Sequence, residues 1–142
     1  MIRILLVDDQ KILLDGLARL LEPYEDLEVV GQLPFSEMVE TACGRLKPHV
    51  VLMDICMEGK TSGIECTRKI KKHFPQIKVI IMTGFQDVHF VELAQEAGAD
   101  SFIYKEKCCR PVRWTASTVP WTGSICSRMS RNGPPLDFTT PP

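Results

Sequence analysis

The chain has 142 residues, of which 44% are hydrophobic and 25% are charged, and its net charge is −1 at pH 7. This balance suits one compact domain and excludes both a uniformly basic nucleic-acid binder and a disordered acidic protein. No apolar run approaches the roughly 20 residues of a membrane span, and no small-residue cleavage site marks a signal peptide. We therefore expect a cytoplasmic protein whose six cysteines are reduced.

The first half of the chain predicts three strands separated by two helices. A short apolar run over residues 3–7 predicts a buried strand, and a second strand is predicted over 27–33. The helix between them is predicted from a stripe of leucines, namely Leu13, Leu17, Leu20 and Leu21. Ser36 is predicted to cap the next helix, whose apolar face carries Met38, Val39, Ala42, Cys43 and Leu46. The run over 50–53 predicts a third strand that ends in Asp54.

The second half continues the alternation. The third helix is predicted from the stripe Ile64, Thr67, Ile70 and Phe74, which lies opposite a solvated face of Lys69, Lys71 and Lys72. A fourth strand over 79–82 leads to Thr83. The fourth helix is predicted from Phe90, Val91, Ala94 and Ala97, and Gly98 is positioned to end it. A fifth strand over 101–104 leads to Lys105.

Strands that are apolar throughout and separated by helices predict an α/β fold with a doubly wound parallel sheet, covered on both faces. In such sheets the functional site lies outside the carboxyl ends of the strands. The residues that follow the predicted strands are therefore the candidate site residues: Asp8, Asp9, Asp54, Thr83 and Lys105. Together they supply three carboxylates, one hydroxyl and one ammonium group.

The order and spacing of five short segments resembles the response-regulator receiver domain of two-component signalling. These segments are Val7-Asp8-Asp9, Leu52-Met53-Asp54, Met82-Thr83-Gly84, Ala97-Gly98-Ala99-Asp100 and Tyr104-Lys105. The resemblance covers residues 1 to about 106. In the first-helix region, Gly16 and the Leu20-Leu21 pair most resemble receivers of LuxR/NarL-type transcriptional regulators. The resemblance implies a flavodoxin-like sheet of five parallel strands and a role as a signalling switch, with at most self-dephosphorylation as an enzymatic activity.

The resemblance also implies a phosphoacceptor site that contains Mg²⁺. Asp54 would take a phosphoryl group from a sensor histidine kinase. Asp9 and Asp54 would bind Mg²⁺ directly, together with the backbone carbonyl of Cys56, and Asp8 would act mainly through a bound water. Oxygen ligands of this kind are those that Mg²⁺ prefers, and a carboxylate is a competent nucleophile once its charge is balanced.

Three further residues complete the site that the resemblance implies. Thr83 would donate a hydrogen bond to a phosphoryl oxygen, and Lys105 would bring a positive charge to it. Phe102 matches the aromatic residue that moves inward when the hydroxyl residue engages the phosphate. Each residue also has an ordinary structural interpretation, because single aspartates often form turns and a single aromatic residue in a strand often belongs to the core.

The segment after Asp54 departs from the pattern of the family. Glu58 stands where a proline is usual, the loop is one residue longer, and Ser62 precedes Gly63 where an acidic residue or an asparagine is usual. Glu58 adds negative charge beside an acidic site, and the expected carbonyl ligand at Cys56 is the residue most affected by the longer loop.

The last part of the chain departs further and predicts a boundary near Lys105. Residues 107–142 carry both tryptophans and six of the ten prolines, and they show no helical stripe. We therefore expect a receiver domain over 1–106 and an atypical tail over 107–142, with the fifth helix of the family absent or replaced by irregular chain. The tail is too short for a DNA-binding module, so no specific DNA binding and at most a weak homodimer are expected. A shifted reading frame and an authentic tail that covers an edge of the domain both fit this composition.

Two other functions are compatible with an acidic α/β site. A phosphatase of the haloacid-dehalogenase type also uses an aspartyl phosphate and Mg²⁺, but it needs a second aspartate two residues after the nucleophile. Cys56 and Gln10 occupy those positions after Asp54 and Asp8, and neither can serve as that acid. The other alternative is a protein-binding module that has lost phosphorylation, against which the complete set of acidic residues argues.

Overall fold

A computed structural model describes residues 1–55, 62–84, 88–104 and 111–112 of the chain. Its elements in chain order are β1 (Ile2–Val7), α1 (Lys11–Leu21), β2 (Leu27–Leu33), a 3₁₀ turn (Ser36–Met38), α2 (Val39–Leu46), β3 (Val50–Asp54), α3 (Gly63–His73), β4 (Lys78–Thr83), α4 (Val88–Glu96), β5 (Ser101–Tyr104) and β6 (Pro111–Val112). The five strands and four helices predicted for the first 105 residues are all present.

The strands form one sheet in the order β2-β1-β3-β4-β5-β6. The first five are parallel, as the pairings of β1 with β2 and β3, of β3 with β4 and of β4 with β5 show. The predicted doubly wound parallel sheet is therefore confirmed. In this strand order the chain winds in opposite directions from β1 and from β3, and the crevice between these two strands is the usual ligand position of the fold.

The strands are apolar throughout because successive side chains point into two separate cores. Leu5, Val7, Val51 and Met53 belong to the core beneath α2, α3 and α4. The intervening strand residues belong to a second core beneath α1; among them are Ile4, Leu6, Val50 and Leu52. All eight of these strand side chains are fully buried, so the register of β1 and β3 is strongly specified.

The sixth strand is an addition that the sequence did not predict. Pro111 and Val112 run antiparallel to β5, opposite Ile103 and Phe102 respectively. Proline lacks the N–H group that an inner strand needs, but it is tolerated at the start of an edge strand, which is the position of Pro111. Residues 111–112 thus cover part of the outer edge of β5, and they form a strand, not part of a helix.

Three details of the helices differ from the expectations. Ser36 begins a 3₁₀ turn instead of capping α2, and the backbone of Met38 takes the cap position. The Met38 side chain is 55% exposed and so does not belong to the apolar face. The buried face of α1 consists of Leu14, Leu17 and Leu21, with Leu13 and Leu20 at its margins.

A fourth difference concerns Lys71, which is not part of a solvated face. It forms an ion pair with Asp100, and its Nζ donates a hydrogen bond to the Ile77 carbonyl oxygen at 2.8 Å. Its side chain is only 18% exposed.

Among the helices of the described residues, none has both the length and the apolar character needed to cross a membrane.

Candidate functional site

Three carboxylates meet at the carboxyl ends of β1 and β3. Asp8 and Asp9 follow the last residue of β1, and Asp54 is the last residue of β3. The parallel pairing places Val7 beside Met53, so the next residues of both strands lie at the same level. One carboxylate oxygen of each aspartate lies within 4.8 Å of those of the other two. The structure therefore brings together the three acidic residues that the sequence placed at this edge.

The surroundings hold two of these carboxylates away from solvent. Asp8 is fully buried and Asp54 nearly so, whereas Asp9 is half-buried. The Asp8 Oδ1 atom accepts a hydrogen bond from the Gln10 backbone N–H at 2.8 Å, and the Asp8 backbone N–H donates to the Leu33 carbonyl oxygen of β2 at 3.1 Å. These contacts fix the turn that carries Asp8 and Asp9 into the crevice.

The donor set suits a hard divalent cation. Two unit charges 4 Å apart repel by about 4 kcal/mol at an effective dielectric constant of 20, so three carboxylates at this spacing favour a bound cation. The ligand atoms are all carboxylate oxygens, with no thiolate or imidazole nitrogen among them. Oxygen-only sites with one or two carboxylates in direct contact are typical of Mg²⁺, whereas sulfur and imidazole ligands favour zinc. The cluster of Asp8, Asp9 and Asp54 therefore fits Mg²⁺, the ion that the family resemblance implies.

The main chain around Asp54 is held from two sides. The Ile55 N–H donates to the Met82 carbonyl oxygen of β4 at 3.0 Å, and the Ile55 carbonyl oxygen accepts from the Gly63 N–H at 3.3 Å. Gly63 approaches so closely that a Cβ atom at this position would lie 2.0 Å from the Asp54 carbonyl oxygen. From the sequence, Gly63 was expected only to end the longer loop; the preference of glycine for close backbone approach was the available signal for this contact.

Thr83 and Phe102 occupy the neighbouring strands. Asp54 pairs with Met82, so Thr83 is the next residue of β4 at the same edge of the sheet. Thr83 is fully buried, as is Phe102, which pairs with Ile81 further inside the sheet. The remaining predicted site residues, Lys105 and Cys56, lie outside the described residues, as does Glu58 of the long loop.

Two histidines and two cysteines outside the aspartate cluster have contacts that indicate a role in the fold. The His49 Nδ1 atom accepts a hydrogen bond from the Arg3 backbone N–H at 3.0 Å, and His73 pairs with Glu40. Cys43 and Cys66 are buried in the core beneath α2 and α3, where removal from water raises the pKa of the Cys43 thiol to about 11 and that of Cys66 to about 12. Thiols with such pKa values are unreactive at neutral pH.

Known sequences identify the family of the chain. Residues 4–110 match the response regulator receiver domain. A response regulator protein VraR from Staphylococcus epidermidis is 39% identical over 104 residues, a match that covers 73% of this chain and 49% of that protein. The chain therefore spans about half the length of the curated relatives it matches.

Solved structures agree with the sequence comparison. A two-component response regulator of the LuxR family from Aurantimonas has a TM-score of 0.70 and 32% identity, and the match covers 74% of each chain. The isolated receiver domain of RcsB from Salmonella enterica, solved with the phosphomimetic BeF₃⁻, has a TM-score of 0.70 and 26% identity; the match covers 74% of this chain and 78% of that one. From its sequence match, its sheet topology and its carboxylate cluster, the chain belongs to the family of response regulator receiver domains.

Proposed function

We propose that this receiver domain accepts a phosphoryl group on the Asp54 carboxylate from a sensor histidine kinase, with Mg²⁺ held by the neighbouring aspartates. The observation that carries the proposal is the convergence of Asp8, Asp9 and Asp54 within 4.8 Å at the crevice between β1 and β3. Only Asp54 of the three ends the central strand β3, with β1 and β4 on either side. The sheet fixes the backbone of Asp54 at this position. A fixed position is needed because the attacking carboxylate oxygen must approach the phosphorus atom in line with the bond that breaks.

The proposed transfer assigns a separate task to each residue. An Asp54 carboxylate oxygen attacks the phosphorus of the phosphohistidine, and the breaking P–N bond leaves its electron pair on the imidazole of the kinase. Asp9 and Asp54 would hold the cation directly, and Asp8 would act mainly through a bound water. Mg²⁺, when bound, supplies positive charge that offsets the repulsion between the phosphoryl oxygens and the carboxylates. Cys56 remains the proposed source of a carbonyl ligand.

The proposed readout of phosphorylation involves β4 and β5. The Thr83 hydroxyl donates a hydrogen bond to a phosphoryl oxygen, and the Lys105 ammonium group balances its charge. Phe102 then acts as the switch aromatic. Its full burial in this structure is compatible with the inward position that the switch requires.

Some of the similar structures belong to DNA-binding regulators. A DNA-binding response regulator of the LuxR family from Staphylococcus aureus is among the similar structures, at 27% identity and a TM-score of 0.69. We propose that the receiver domain of residues 1–106 serves transcriptional regulation in the cytoplasm. The tail of 107–142 contributes no specific DNA binding, and a homodimer of this chain is at most weak.

Labelling with a small phosphoryl donor tests the proposal. The 142-residue protein is incubated with acetyl phosphate, with Mg²⁺ or with a chelator, and the phosphorylated site is mapped by mass spectrometry. We expect label on Asp54 only when Mg²⁺ is present, and none in Asp54→Asn. Asp15→Asn is the matched control, because Asp15 is an exposed residue of α1. Undiminished labelling of Asp54→Asn would refute the assignment of the phosphoacceptor.

A further inference from the structure

Helix α3 begins in direct contact with the main chain of the proposed phosphoacceptor. Gly63 is the first residue of α3, and Asp54 is the last residue of β3. A Cβ atom on Gly63 would lie 2.0 Å from the Asp54 carbonyl oxygen and 3.0 Å from both the Asp54 carbonyl carbon and the Ile55 Cα. Real Cβ atoms essentially never approach closer than 3.0 Å, so only glycine fits here without a shift of the backbone.

The atoms that Gly63 touches have little freedom to move away. The Ile55 N–H is bonded to the Met82 carbonyl oxygen of β4, and the Ile55 carbonyl oxygen accepts from Gly63 itself. Asp54 also pairs with Met82 in the sheet register. The peptide that joins Asp54 to Ile55 is therefore fixed between β4 on one side and the start of α3 on the other.

The first turn of α3 is itself fixed in place. The Ser62 Oγ atom accepts a hydrogen bond from the Glu65 N–H at 3.2 Å, which caps the helix. The buried Thr67 hydroxyl donates to the Gly63 carbonyl oxygen at 2.7 Å. Ile64, Cys66 and Ile70 then anchor the helix in the core. A side chain at position 63 would therefore displace the Asp54 backbone as well as the helix.

We infer that Gly63 is a positioning residue for phosphoryl transfer, which sets the location of the Asp54 carboxylate by allowing α3 to pack on the Asp54 carbonyl group. The inference rests on the proposed role of Asp54 as phosphoacceptor. A methyl group at position 63 would be about 1.4 Å short of ordinary van der Waals separation from that carbonyl oxygen. Displacements of about 1 Å at a reacting group lower rates by about 100-fold.

The test compares Gly63→Ala with two controls in the 142-residue protein. Gly16→Ala makes the same substitution at a helical position where no atom other than the adjacent residues and the local helix backbone lies within 4 Å of the added methyl group. Asp100→Ala removes the ion pairs with Lys71 and Lys78, at the edge of the sheet opposite to Asp54, and controls for lost stability. Each protein is assayed at a temperature where circular dichroism shows it folded. The readouts are the acetyl phosphate dependence of the labelling rate and the Mg²⁺ dissociation constant from calorimetry.

For Gly63→Ala we expect a maximal labelling rate 10- to 100-fold below that of the wild type, with a less than threefold change in the half-saturating concentration of acetyl phosphate. We also expect weaker Mg²⁺ binding, since Asp54 is one of the proposed ligands. Gly16→Ala and Asp100→Ala should keep the wild-type rate and Mg²⁺ affinity. A merely structural role of Gly63 would make Gly63→Ala behave like Asp100→Ala, and that result would overturn the inference.

A second pair of variants applies if Gly63→Ala does not fold. Thr67→Val keeps the shape of the side chain but removes the hydrogen bond to the Gly63 carbonyl oxygen, and Thr67→Ser keeps the hydroxyl. We expect a two- to fivefold slower maximal rate in Thr67→Val and recovery in Thr67→Ser; equal rates in wild type and Thr67→Val would overturn the inference.

Labelling that Asp54→Asn does not abolish would refute the proposed function and this inference together. Labelling on Asp54 that Gly63→Ala leaves unchanged would refute the inference alone.

Discussion

Asp100 forms an ion pair with Lys71 of α3. The pair lies at the amino-terminal edge of the sheet, opposite to the edge that carries the three clustered aspartates. The same carboxylate accepts a hydrogen bond from the Val79 N–H at 2.9 Å and pairs with Lys78 Nζ at 3.3 Å. It is only 10% exposed. Asp100 thus ties α3, the start of β4 and the turn before β5 together.

We predict that Asp100→Ala lowers the free energy of unfolding by about 2–4 kcal/mol, because loss of one partner leaves two partly buried ammonium groups without their carboxylate. Urea unfolding followed by circular dichroism measures this change. Glu65→Ala is the matched control, since Glu65 and Lys69 form an exposed pair with 3.9 Å between their charged atoms, and such pairs contribute about 0–1 kcal/mol. Equal effects of the two substitutions would contradict the prediction.

Two glycines predict opposite effects of the same substitution. Gly16 lies in α1 with open space around it, so Gly16→Ala should stabilise the protein by about 0.5–1 kcal/mol through the higher helix propensity of alanine. Gly98 follows the end of α4 and has a φ angle of +90°, which residues with a Cβ atom rarely adopt. Gly98→Ala should therefore destabilise the protein by about 1–2 kcal/mol. Thermal unfolding of both variants beside the wild type gives the signs. A destabilised Gly16→Ala or a stabilised Gly98→Ala would show that the local backbone has been misassigned.

The buried thiols predict a loss of stability at alkaline pH. The unfolded chain releases the protons of Cys43 and Cys66 near their ordinary pKa of 9.0, whereas burial raises the pKa of these thiols in the folded state to about 11 and about 12. The folded state therefore binds more protons than the unfolded state above pH 9, and its stability falls as the pH rises from 9 towards 11. Urea unfolding at pH 7.5, 9 and 10 measures the slope. The Cys43→Ala, Cys66→Ala double variant should show a shallower decline, and an identical slope would exclude these thiols as its source.

The pairing of β6 predicts that the start of the tail protects β5. Removal of residues 111–142 takes away the strand opposite Phe102 and Ile103, so we expect faster amide hydrogen exchange in β5. Removal of residues 115–142 keeps Pro111 and Val112 and is the matched control. Mass spectrometry of peptides that cover residues 99–104 resolves the two truncations. Equal exchange in both would mean that β6 contributes no protection.

The sequence predicted the fold well because its signals are local and repeated. Short runs in which every residue is apolar, such as 50–53, identify inner strands of a covered parallel sheet, and the topology then brings Asp8 to Asp54. Each step depends on residue type and order alone. The location of the carboxylate cluster therefore followed from the sequence, although its distances did not.

The differences arise where contacts join distant parts of the chain or where an element is too short to have a period. Lys71 has the pattern of a solvated lysine, and only the folded chain brings Asp100 to it, 29 positions later. Gly63 meets Asp54 through a contact between backbones, which leaves no trace in hydropathy. A strand of two residues, as at Pro111–Val112, shows no alternation from which it could be predicted.

The antiparallel pairing of β6 gives β5 a hydrogen-bonded neighbour on each side, so Phe102 belongs to an inner strand of the sheet. When a side chain of β5 changes position and the strand shifts with it, the backbone hydrogen bonds to β4 and those to β6 must both adjust. Proteolytic trimming before Pro111 would convert β5 into an edge strand with a row of unsatisfied peptide groups, the kind of edge that recruits further strands.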